Sequence, residues 1–340
     1  MSLTLAELEE WCLAQGERGF RAKQIWNWLW QKGVSDFSLM TNLSLTLRRS
    51  LAGSFSLEWP TIVKWLRSKD HTFKFLLRLE DGEYIESVLI PEKDHYTLCV
   101  SSQVGCTLGC KFCHTGTMGF KRNLKAFEIA GQAVLGRQFL LRQGVEIPLR
   151  NVVYMGMGEP LLNWAEVKKS LEILRSEQGL GFSRRRITLS SVGIKGILEE
   201  FGQSKLALVA ISLHAPTQEL REKLMPKAAR WPLSELLQAL KRYPLEKRER
   251  ITFEYLLLKG INDTPKDAQL LAKLLKGLRC KINLIAYNSW PGSKYERPEE
   301  DRILAFEKVL WANNLTAILR KSKGQDILAA CGQLRAAELE

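Results

Sequence analysis

The stretch YTLCVSSQVGCTLGCKFCHTG, residues 96–116, decides how this chain folds. It begins with a short β-rich apolar run and continues directly into a loop that carries three cysteines. Similar β-rich runs recur further along the chain, at NVVYMGM, RITLSSV, LALVAISLH, ITFEYLLL, INLIAYN and TAILRKS. Helical patterns separate them, which is typical of βα units around a parallel sheet. The sequence therefore predicts an α/β fold, a partial (open) TIM-like βα barrel.

The helices between these strands have recognisable starts. Asn163 with Glu166 three residues later, and Thr264 with Asp267, fit the pattern of a capped first turn, and Pro265 suits the first helical position. In parallel sheets of this kind the active site gathers at the carboxyl ends of the strands. We therefore expect the cysteine loop to lie at the functional edge.

Charge and hydrophobicity narrow the class of partner. Lysine and arginine outnumber aspartate and glutamate by 50 to 37, a net charge of +13 that favours nucleic acid or another polyanion. Apolar runs of about 18 residues, which a membrane span needs, do not occur, and the N-terminus lacks the pattern of a signal peptide. We expect a cytoplasmic protein that does not bind a membrane.

The first 90 residues differ from the rest of the chain. FRAKQIWNWLWQKG at 20–33 and the segment 36–51 have helical patterns, with Trp26, Leu29 and Trp30 at helical spacing. Packing in a core is the favoured interpretation of these side chains, over stacking on RNA bases. We predict a small helical accessory domain at 1–90 that helps to bind RNA, followed by the barrel at 91–340.

Three cysteines carry the clearest chemical signal. Cys106, Cys110 and Cys113 form a C-x3-C-x2-C pattern directly after a predicted strand. Three thiolates on one short loop suit three corners of a [4Fe–4S] cluster and leave one iron open to chelate S-adenosylmethionine (SAM). A zinc site and incidental buried thiols are the alternatives, although zinc usually takes four ligands and no second C-x2-C pair occurs.

The next strand ends in GMGEP, from Gly156 to Pro160. Glycine permits close backbone approach and exposes amide groups. One βα unit beyond the cysteine loop, this segment is a candidate cradle for the amino group of SAM.

These residues resemble the RlmN/Cfr family of radical SAM RNA methyltransferases. The resemblance runs in order along essentially the whole chain and includes FRAKQIW and the IES…IPE stretch at 85–92. Its motifs are TLCVSSQVGC at 97–106, KFC at 111–113, MGMGEP at 155–160, ISLHAP at 211–216, CKINLI at 280–285 and AACGQL at 329–334.

The resemblance implies roles for residues that the pattern alone does not single out. Cys331, in a C-terminal loop, would be the methyl-carrying nucleophile, Cys99 its resolving partner and Glu86 the acid/base residue. The implied SAM contacts are Gly158, Glu159, Ser190, Ser212, Leu213, His214 and Asn288. HTGTMGF departs from the residues associated with the family after the third cysteine, which leaves the role of His114 open.

The resemblance also implies the reaction. Two SAM molecules are used per turnover: one methylates the Cys331 thiolate, and the other yields the radical through which the carbon is added to adenine. Attack by Cys99 would then release the RNA and leave a disulfide with Cys331. Without the resemblance, a lone cysteine such as either of these is more often a core residue, the interpretation kept for Cys12 and Cys280.

The implied substrate is an adenosine of 23S ribosomal RNA in the peptidyl transferase region and, for the RlmN branch, an adenosine beside the anticodon of some transfer RNAs. GTMGFKRNL at 116–124 resembles the RlmN branch, hence C2 methylation. An external electron donor and a monomeric enzyme are expected. The basic stretches 183–187, 241–250 and 319–324 could neutralise phosphates, although charged runs are usually only solvated surface.

Three alternatives remain at this stage. Adenine-C8 methylation of the Cfr type would use the same residues. A radical SAM activase acting on a protein would share the cluster but need neither Cys99 nor Cys331. A basic, zinc-stabilised RNA-binding protein would hold no iron.

Overall fold

A ten-stranded mixed sheet forms the centre of the protein in a computed structural model that describes residues 1–336. A separate two-stranded sheet, β5–β6, lies beside it. The strands are β1 Thr61–Arg67, β2 Phe73–Arg78, β3 Tyr84–Pro91, β4 Tyr96–Cys99, β5 Gln103–Gly105, β6 Phe120–Asn123, β7 Leu149–Tyr154, β8 Ile187–Ser191, β9 Leu208–Ser212, β10 Ile251–Leu257, β11 Cys280–Ala286 and β12 Ala317–Arg320.

Helices connect and cover these strands. They are α1 Leu5–Ala14, α2 Phe20–Asn27, α3 Leu45–Ser54, α4 His114–Thr117, α5 Ala126–Arg142, α6 Trp164–Arg175, α7 Ile197–Ser204, α8 Gln218–Leu224, α9 Leu233–Lys241, α10 Pro265–Leu275 and α11 Glu300–Ala312. Within residues 1–336, no helix is both long and apolar enough to cross a membrane.

The predicted open barrel is confirmed. β4 and β7 to β12 pair in parallel, in the sheet order β4-β7-β8-β9-β10-β11-β12. The barrel stays open because β4 pairs on its other side with β3, and β12 ends the sheet. Every residue of β10 is buried, as expected for a parallel strand covered on both faces. All carboxyl ends of these strands therefore face one edge.

The two predicted helix starts differ in detail. At Thr264 the side chain accepts a hydrogen bond from the Asp267 amide at 3.2 Å, and the Asp267 carboxylate accepts one from the Thr264 amide at 3.0 Å, a reciprocal cap. The Asn163 side chain makes no such cap. Its Nδ2 instead donates to the carbonyls of Ser102 and Leu124, at 2.9 and 2.8 Å, and so links α6 to the segment after β4.

The N-terminal region is helical over a shorter range than expected. We expected a helical unit over 1–90, but the helices lie within Leu5–Ser54, whereas residues 61–91 form the antiparallel strands β1 to β3. These strands extend the barrel sheet beyond β4. The turn between β2 and β3 contains Asp81 and Gly82, and Gly82 has a φ of +85°, a conformation that favours glycine.

The tryptophans of α2 and the turn that follows it belong to the core. Trp26 and Trp30 are buried, and the Trp30 ring packs against Trp59 and Phe127 with centroid separations of 5.5 Å in both cases. Phe127 lies on α5, a helix of the barrel, so the N-terminal helices and the barrel share one hydrophobic core. The core interpretation of these aromatic side chains is confirmed.

Candidate active site

The cysteine loop begins where β5 ends and is held closed at its base. Gly105 has a φ of +72°, and a Cβ there would lie 1.9 Å from the Gly119 carbonyl oxygen. The Cys106 amide donates to the same carbonyl at 2.7 Å. Further along, the Lys111 amide donates to the Leu224 carbonyl at 2.9 Å, which ties the loop to the end of α8. Residue 105 must therefore be glycine, and its close contact with Gly119 fixes the position of the cysteine loop.

The three loop cysteines line one cavity of about 160 Å³, here called the cluster cavity. Burial raises the pKa of each thiol, that of Cys106 to about 12, so that metal binding would have to displace the protons. Three thiols that line one cavity fit a cluster, in which each thiolate binds its own iron, whereas a structural zinc ion usually takes four ligands.

Other expected SAM contacts line the same cavity. They come from the ends of three neighbouring strands and are Gly158, Glu159, Ser190, Ser212 and His214. The hydroxyls of Ser190 and Ser212 lie 3.3 Å apart across β8 and β9. Convergence of these polar groups with the three thiols is what a site for both a cluster and SAM requires.

Glu159 is held by backbone amides. Its two carboxylate oxygens accept hydrogen bonds from the Leu161 and Val192 amides, both at 3.0 Å, and its own amide donates to the Gln103 side chain at 2.9 Å. Burial raises the pKa of the Glu159 carboxyl. The carboxylate therefore fixes the relative positions of the loops after β7 and β8.

The glycines of GMGEP have a use in packing beyond the expected cradle for SAM. A Cβ on Gly156 would lie 2.7 Å from the Val100 carbonyl oxygen, and a Cβ on Gly158 would lie 2.6 Å from the Gln103 side chain. Their missing side chains thus allow the loop after β7 to pack on the segment after β4. Close approach is needed between two parts of the chain, in addition to any approach by a ligand.

Gly158→Ala should lower the free energy of unfolding by roughly 2 kcal/mol or more, because the φ of +98° is strained for alanine and its Cβ would overlap Gln103. Denaturant unfolding under anaerobic conditions measures this. Gly144→Ala is the matched control, since Gly144 also has a positive φ, +64°, but no atom within 4 Å of the added Cβ. Equal losses in both variants would contradict the predicted overlap.

Two expected SAM contacts do not line the cluster cavity. The Leu213 side chain is fully buried in the core, so only its backbone could face a ligand. Asn288 donates to the Cys331 carbonyl at 3.3 Å and accepts a hydrogen bond from the Gln325 side chain at 2.8 Å. In this arrangement Asn288 holds the loop that carries Cys331.

A neutral histidine and an unexpected glutamate complete the wall. The His214 Nδ1 accepts from the Leu256 amide at 3.0 Å, and burial lowers its pKa to about 3, so the ring is neutral. Glu254, at the level of Ser212 on the neighbouring strand, receives a hydrogen bond from the Asn283 side chain on one oxygen. Its other oxygen is buried and has no hydrogen-bond partner within residues 1–336. That free acceptor beside two hydroxyls fits a hydroxyl-bearing ligand such as SAM.

Sequence reasoning missed Glu254 because the residue lies inside an otherwise apolar strand, ITFEYLL. The only signal was the charge itself. A carboxylate in a strand that is buried along its whole length needs a partner for its charge, and no other residue of ITFEYLL supplies one.

Cys99 and Cys331 line a second cavity, of about 250 Å³, here called the thiol cavity. Arg320, at the end of β12, also lines it and is half-buried. Attraction to Cys331 is the largest of the interactions that raise the pKa of Arg320. The structure thus brings together two cysteines beside a positive charge. Cys99 ends β4, the first of the parallel strands, and Cys331 lies in the loop after β12, the last of them.

The expected disulfide between these cysteines is not supported. Cys99 and Cys331 are both free thiols in the structure. Burial raises the pKa of Cys99 to about 12, so it is protonated at neutral pH. Cys12 and Cys280 are also free and lie buried in the core, in agreement with expectation.

Glu86 lies outside both cavities as far as residues 1–336 define their lining. One carboxylate oxygen is 3.0 Å from the Lys74 ammonium, and the other accepts from the Arg335 amide at 2.8 Å. The residue is therefore positioned next to the C-terminal segment that follows Cys331, with both oxygens engaged.

His114 connects the cysteine loop to that C-terminal segment. Its ring stacks on Trp290 with centroids 4.4 Å apart, and its amide donates to the Gly332 carbonyl at 2.8 Å. Nδ1 lies 3.3 Å from the Gln333 carbonyl oxygen. The residue whose role was open is thus a packing link beside Cys331.

Among residues 1–336, the basic stretch 319–324 contributes to the lining of the thiol cavity, whereas the stretches 183–187 and 241–250 line neither cavity. Arg320, Lys321 and Lys323 line the thiol cavity. Arg184, in the stretch 183–187, is instead paired with Glu249 at 2.9 Å and precedes β8, at the amino end of the barrel strands. The stretch 319–324 begins at the carboxyl end of β12, whereas Arg184 lies before the amino end of β8, and this difference explains why the first reaches the thiol cavity and the second does not.

Comparisons with known proteins agree with this geometry. Residues 1–57 match the family described as the ribosomal RNA large subunit methyltransferase N-terminal domain, and residues 100–272 match the radical SAM superfamily. A solved structure, a radical SAM methyltransferase from Sphaerobacter thermophilus, superposes with a TM-score of 0.92 at 43% identity, covering 99% of this chain and 98% of that one.

Three proteins with similar sequences share the same name. A protein of Solidesulfovibrio magneticus is 53% identical over 99% of this chain and 96% of its own length. One from Lawsonia intracellularis is 54% identical over 94% of this chain and 91% of its own, and one from Syntrophus aciditrophicus is 46% identical over 99% and 96%. Each is named dual-specificity RNA methyltransferase RlmN.

Proposed function

The chain belongs to the RlmN family of radical SAM methyltransferases, and we propose that it methylates C2 of an adenine in 23S ribosomal RNA and in transfer RNA. The relatives are named RNA methyltransferases of dual specificity. Their RlmN name favours the C2 branch over C8 methylation of the Cfr type. As a member of the radical SAM superfamily, the enzyme uses a [4Fe–4S] cluster and SAM.

One observation carries the proposal: Cys331 lies in the wall between the two cavities. It lines the cluster cavity together with the three loop cysteines, and it lines the thiol cavity together with Cys99. A thiol that receives a methyl group and then presents it to a base must face both the source and the acceptor. A radical SAM activase acting on a protein has no need of this paired arrangement.

The residues present fit the cofactors. Cys106, Cys110 and Cys113 would hold the cluster, and the polar wall of Glu159, Ser190, Ser212 and Glu254 would bind SAM. When bound, the cluster and SAM supply one-electron cleavage that produces an organic radical. Gly158 and His214 shape the cavity, and Asn288 holds the Cys331 loop in place.

Within the thiol cavity, the side chains divide the chemistry. Cys331 acts as nucleophile and methyl carrier, and the positive charge of Arg320 lines the same cavity. Cys99, protonated at rest, does not compete for the methyl group. After carbon transfer, Cys99 loses its proton and attacks the Cys331 sulfur, so that a transient disulfide forms and the bond from that sulfur to carbon breaks. The electron pair of the broken bond takes up a proton at the carbon, the methylated RNA leaves, and a cellular thiol reductant restores both thiols. Glu86 accepts the ring proton, which requires movement of the C-terminal segment that now occupies its carboxylate.

The thiol cavity also suits the target base. Its basic rim, Arg320, Lys321 and Lys323, would draw phosphates towards the opening, and an adenine displaced from its stack in an RNA loop could reach both thiols. We propose that the helical N-terminal region assists RNA binding. We further propose that the enzyme is cytoplasmic, because both RNA substrates reside in the cytoplasm. We also propose that it is a monomer and that an external electron donor reduces it.

Mass spectrometry of RNA digests tests the function. Ribosomal and transfer RNA from cells that lack the gene should contain no 2-methyladenosine, and the purified enzyme with SAM and a reductant should restore it. Formation of 8-methyladenosine instead would place the enzyme in the Cfr branch. Unchanged RNA in both tests would refute the proposal.

A further inference from the structure

A buried cation next to the cysteine loop has no ion-pair partner in the part of the chain that the structure describes. Arg221, on α8, is 0% exposed, and its Nη2 donates to the Val192 carbonyl at 2.8 Å. Its Nε and Nη1 have no hydrogen-bond partner within residues 1–336. No carboxylate of the same residues forms a salt bridge with it either. A buried guanidinium with unmet donors is costly unless a negative group compensates it.

The nearest candidates for that compensation are incomplete. Cys110 and Glu159 both interact electrostatically with Arg221. However, both Glu159 oxygens already accept hydrogen bonds from backbone amides, and within residues 1–336 the only hydrogen bond of the Arg221 guanidinium goes to the Val192 carbonyl. Neither group therefore supplies a full negative charge in hydrogen-bond contact with the guanidinium.

The position of Arg221 relative to the loop is fixed by the fold. It lies one helical turn before Leu224, whose carbonyl accepts from the amide of Lys111, the residue next to Cys110. The guanidinium does not line the cluster cavity among residues 1–336, so it would not touch SAM. Lys227, the other cation beside the loop, donates to the Thr107 carbonyl and is exposed, where solvent screens its charge.

We propose that Arg221 is the counter-charge of the iron–sulfur centre: its buried guanidinium stabilises the thiolate-bound cluster and stabilises the reduced form more than the oxidised form. Three thiolates give the centre a negative charge. Uptake of one electron from a one-electron donor makes that charge more negative by one unit, with no bond formed or broken. A fixed cation in a medium of low polarity therefore raises the reduction potential.

Burial lowers the pKa of Arg221 to about 10, while Cys110 and Glu159 act in the opposite direction. The guanidinium thus remains charged at neutral pH. Arg221 is not a catalytic residue in this scheme, since it acts on the cluster by its charge and, within residues 1–336, does not line the cavity of the reacting atoms.

Redox titration of the iron-loaded protein without RNA, with dithionite and mediators under anaerobic conditions, tests the proposal. In Arg221→Met the ratio of reduced to oxidised cluster at a fixed potential should fall at least about tenfold, equivalent to about 59 mV for one electron. Arg221→Lys, which keeps the charge, should remain close to the parent. Arg221→Gln keeps N–H donors for the Val192 carbonyl but is neutral, and should behave like Arg221→Met.

Arg184→Met is the matched control, because Arg184 is also a mostly buried guanidinium but precedes β8, whereas Val192 follows it. Arg184 and Val192 therefore lie at opposite ends of β8, a strand of five residues, and are separated by roughly 17 Å. This control should be less stable than the parent, since Glu249 loses its partner, yet keep the parent potential.

If Arg221→Met does not fold, the glutamine and lysine variants decide. Equal potentials in these two, or a parent-like potential in Arg221→Met, would overturn the role of Arg221. The inference rests on the cofactor of the proposed function and not on its RNA target. A parent chain that binds no iron would overturn both, whereas an unchanged potential in an iron-loaded variant would overturn only the counter-charge.

Discussion

Cys331→Ala is expected to abolish RNA methylation, with a loss of about three orders of magnitude or more in product formation, because it removes the one thiol that lines both cavities among residues 1–336. The protein should also fail to acquire a methyl group. Incubation with SAM labelled in its methyl group, followed by mass spectrometry of the denatured protein, measures this first stage separately from turnover.

Cys280→Ala is the control for loss of a cysteine. Cys280 is a buried core thiol on β11, so its replacement should leave labelling and methylation near parent levels. The Cys331 variant should retain its iron, because Cys331 lies outside the loop that carries the three expected cluster ligands. Normal labelling of iron-loaded Cys331→Ala would refute the carrier role.

Cys99→Ala should trap the enzyme on its substrate. The Cys331 thiol would still be methylated and would still attach to the base, but the thiol that shares its cavity and releases the product would be missing. We expect a protein–RNA adduct that survives denaturing electrophoresis, with turnover reduced to at most about one event per enzyme.

The double variant Cys99→Ala/Cys331→Ala distinguishes this outcome from incidental crosslinking. It lacks the attachment point, so no adduct should form. An adduct in the double variant, or sustained turnover in Cys99→Ala, would mean that another group releases the RNA.

Local patterns predicted the parts of the fold that depend on neighbouring residues. The alternation of strands and helices after residue 96 gave the parallel open barrel, and the reciprocal cap at Thr264 and Asp267 was readable from spacing. The strands β1 to β3 were missed, although the Asp81–Gly82 turn between β-rich runs is a hairpin signal. The helical pattern of the first 51 residues had been extended too far.

The residues of the site were also predicted only in part. Five of the seven expected SAM contacts line the cluster cavity, namely Gly158, Glu159, Ser190, Ser212 and His214. Leu213 and Asn288 do not, because the first points into the core and the second is engaged by the Cys331 loop. Glu254 and Arg221 were not anticipated. Glu254 is a single charge in an apolar strand, and Arg221 is one of several charges in the helix QELREKL, so neither residue carries a spacing signal.

Three thiols on one short loop could be read from the sequence, because the covalent chain confines residues so close together. The predicted strand before the loop is two strands in the structure, the barrel strand β4 and then β5 of the separate sheet, and the loop follows β5. The fold had to be known to see that Cys99 and Cys331 share a cavity, that Cys331 also lines the cluster cavity, and that Arg221 has no ion-pair partner within residues 1–336. Such contacts between distant segments arise from burial of the apolar faces of sheet and helices, which one sequence does not specify pair by pair.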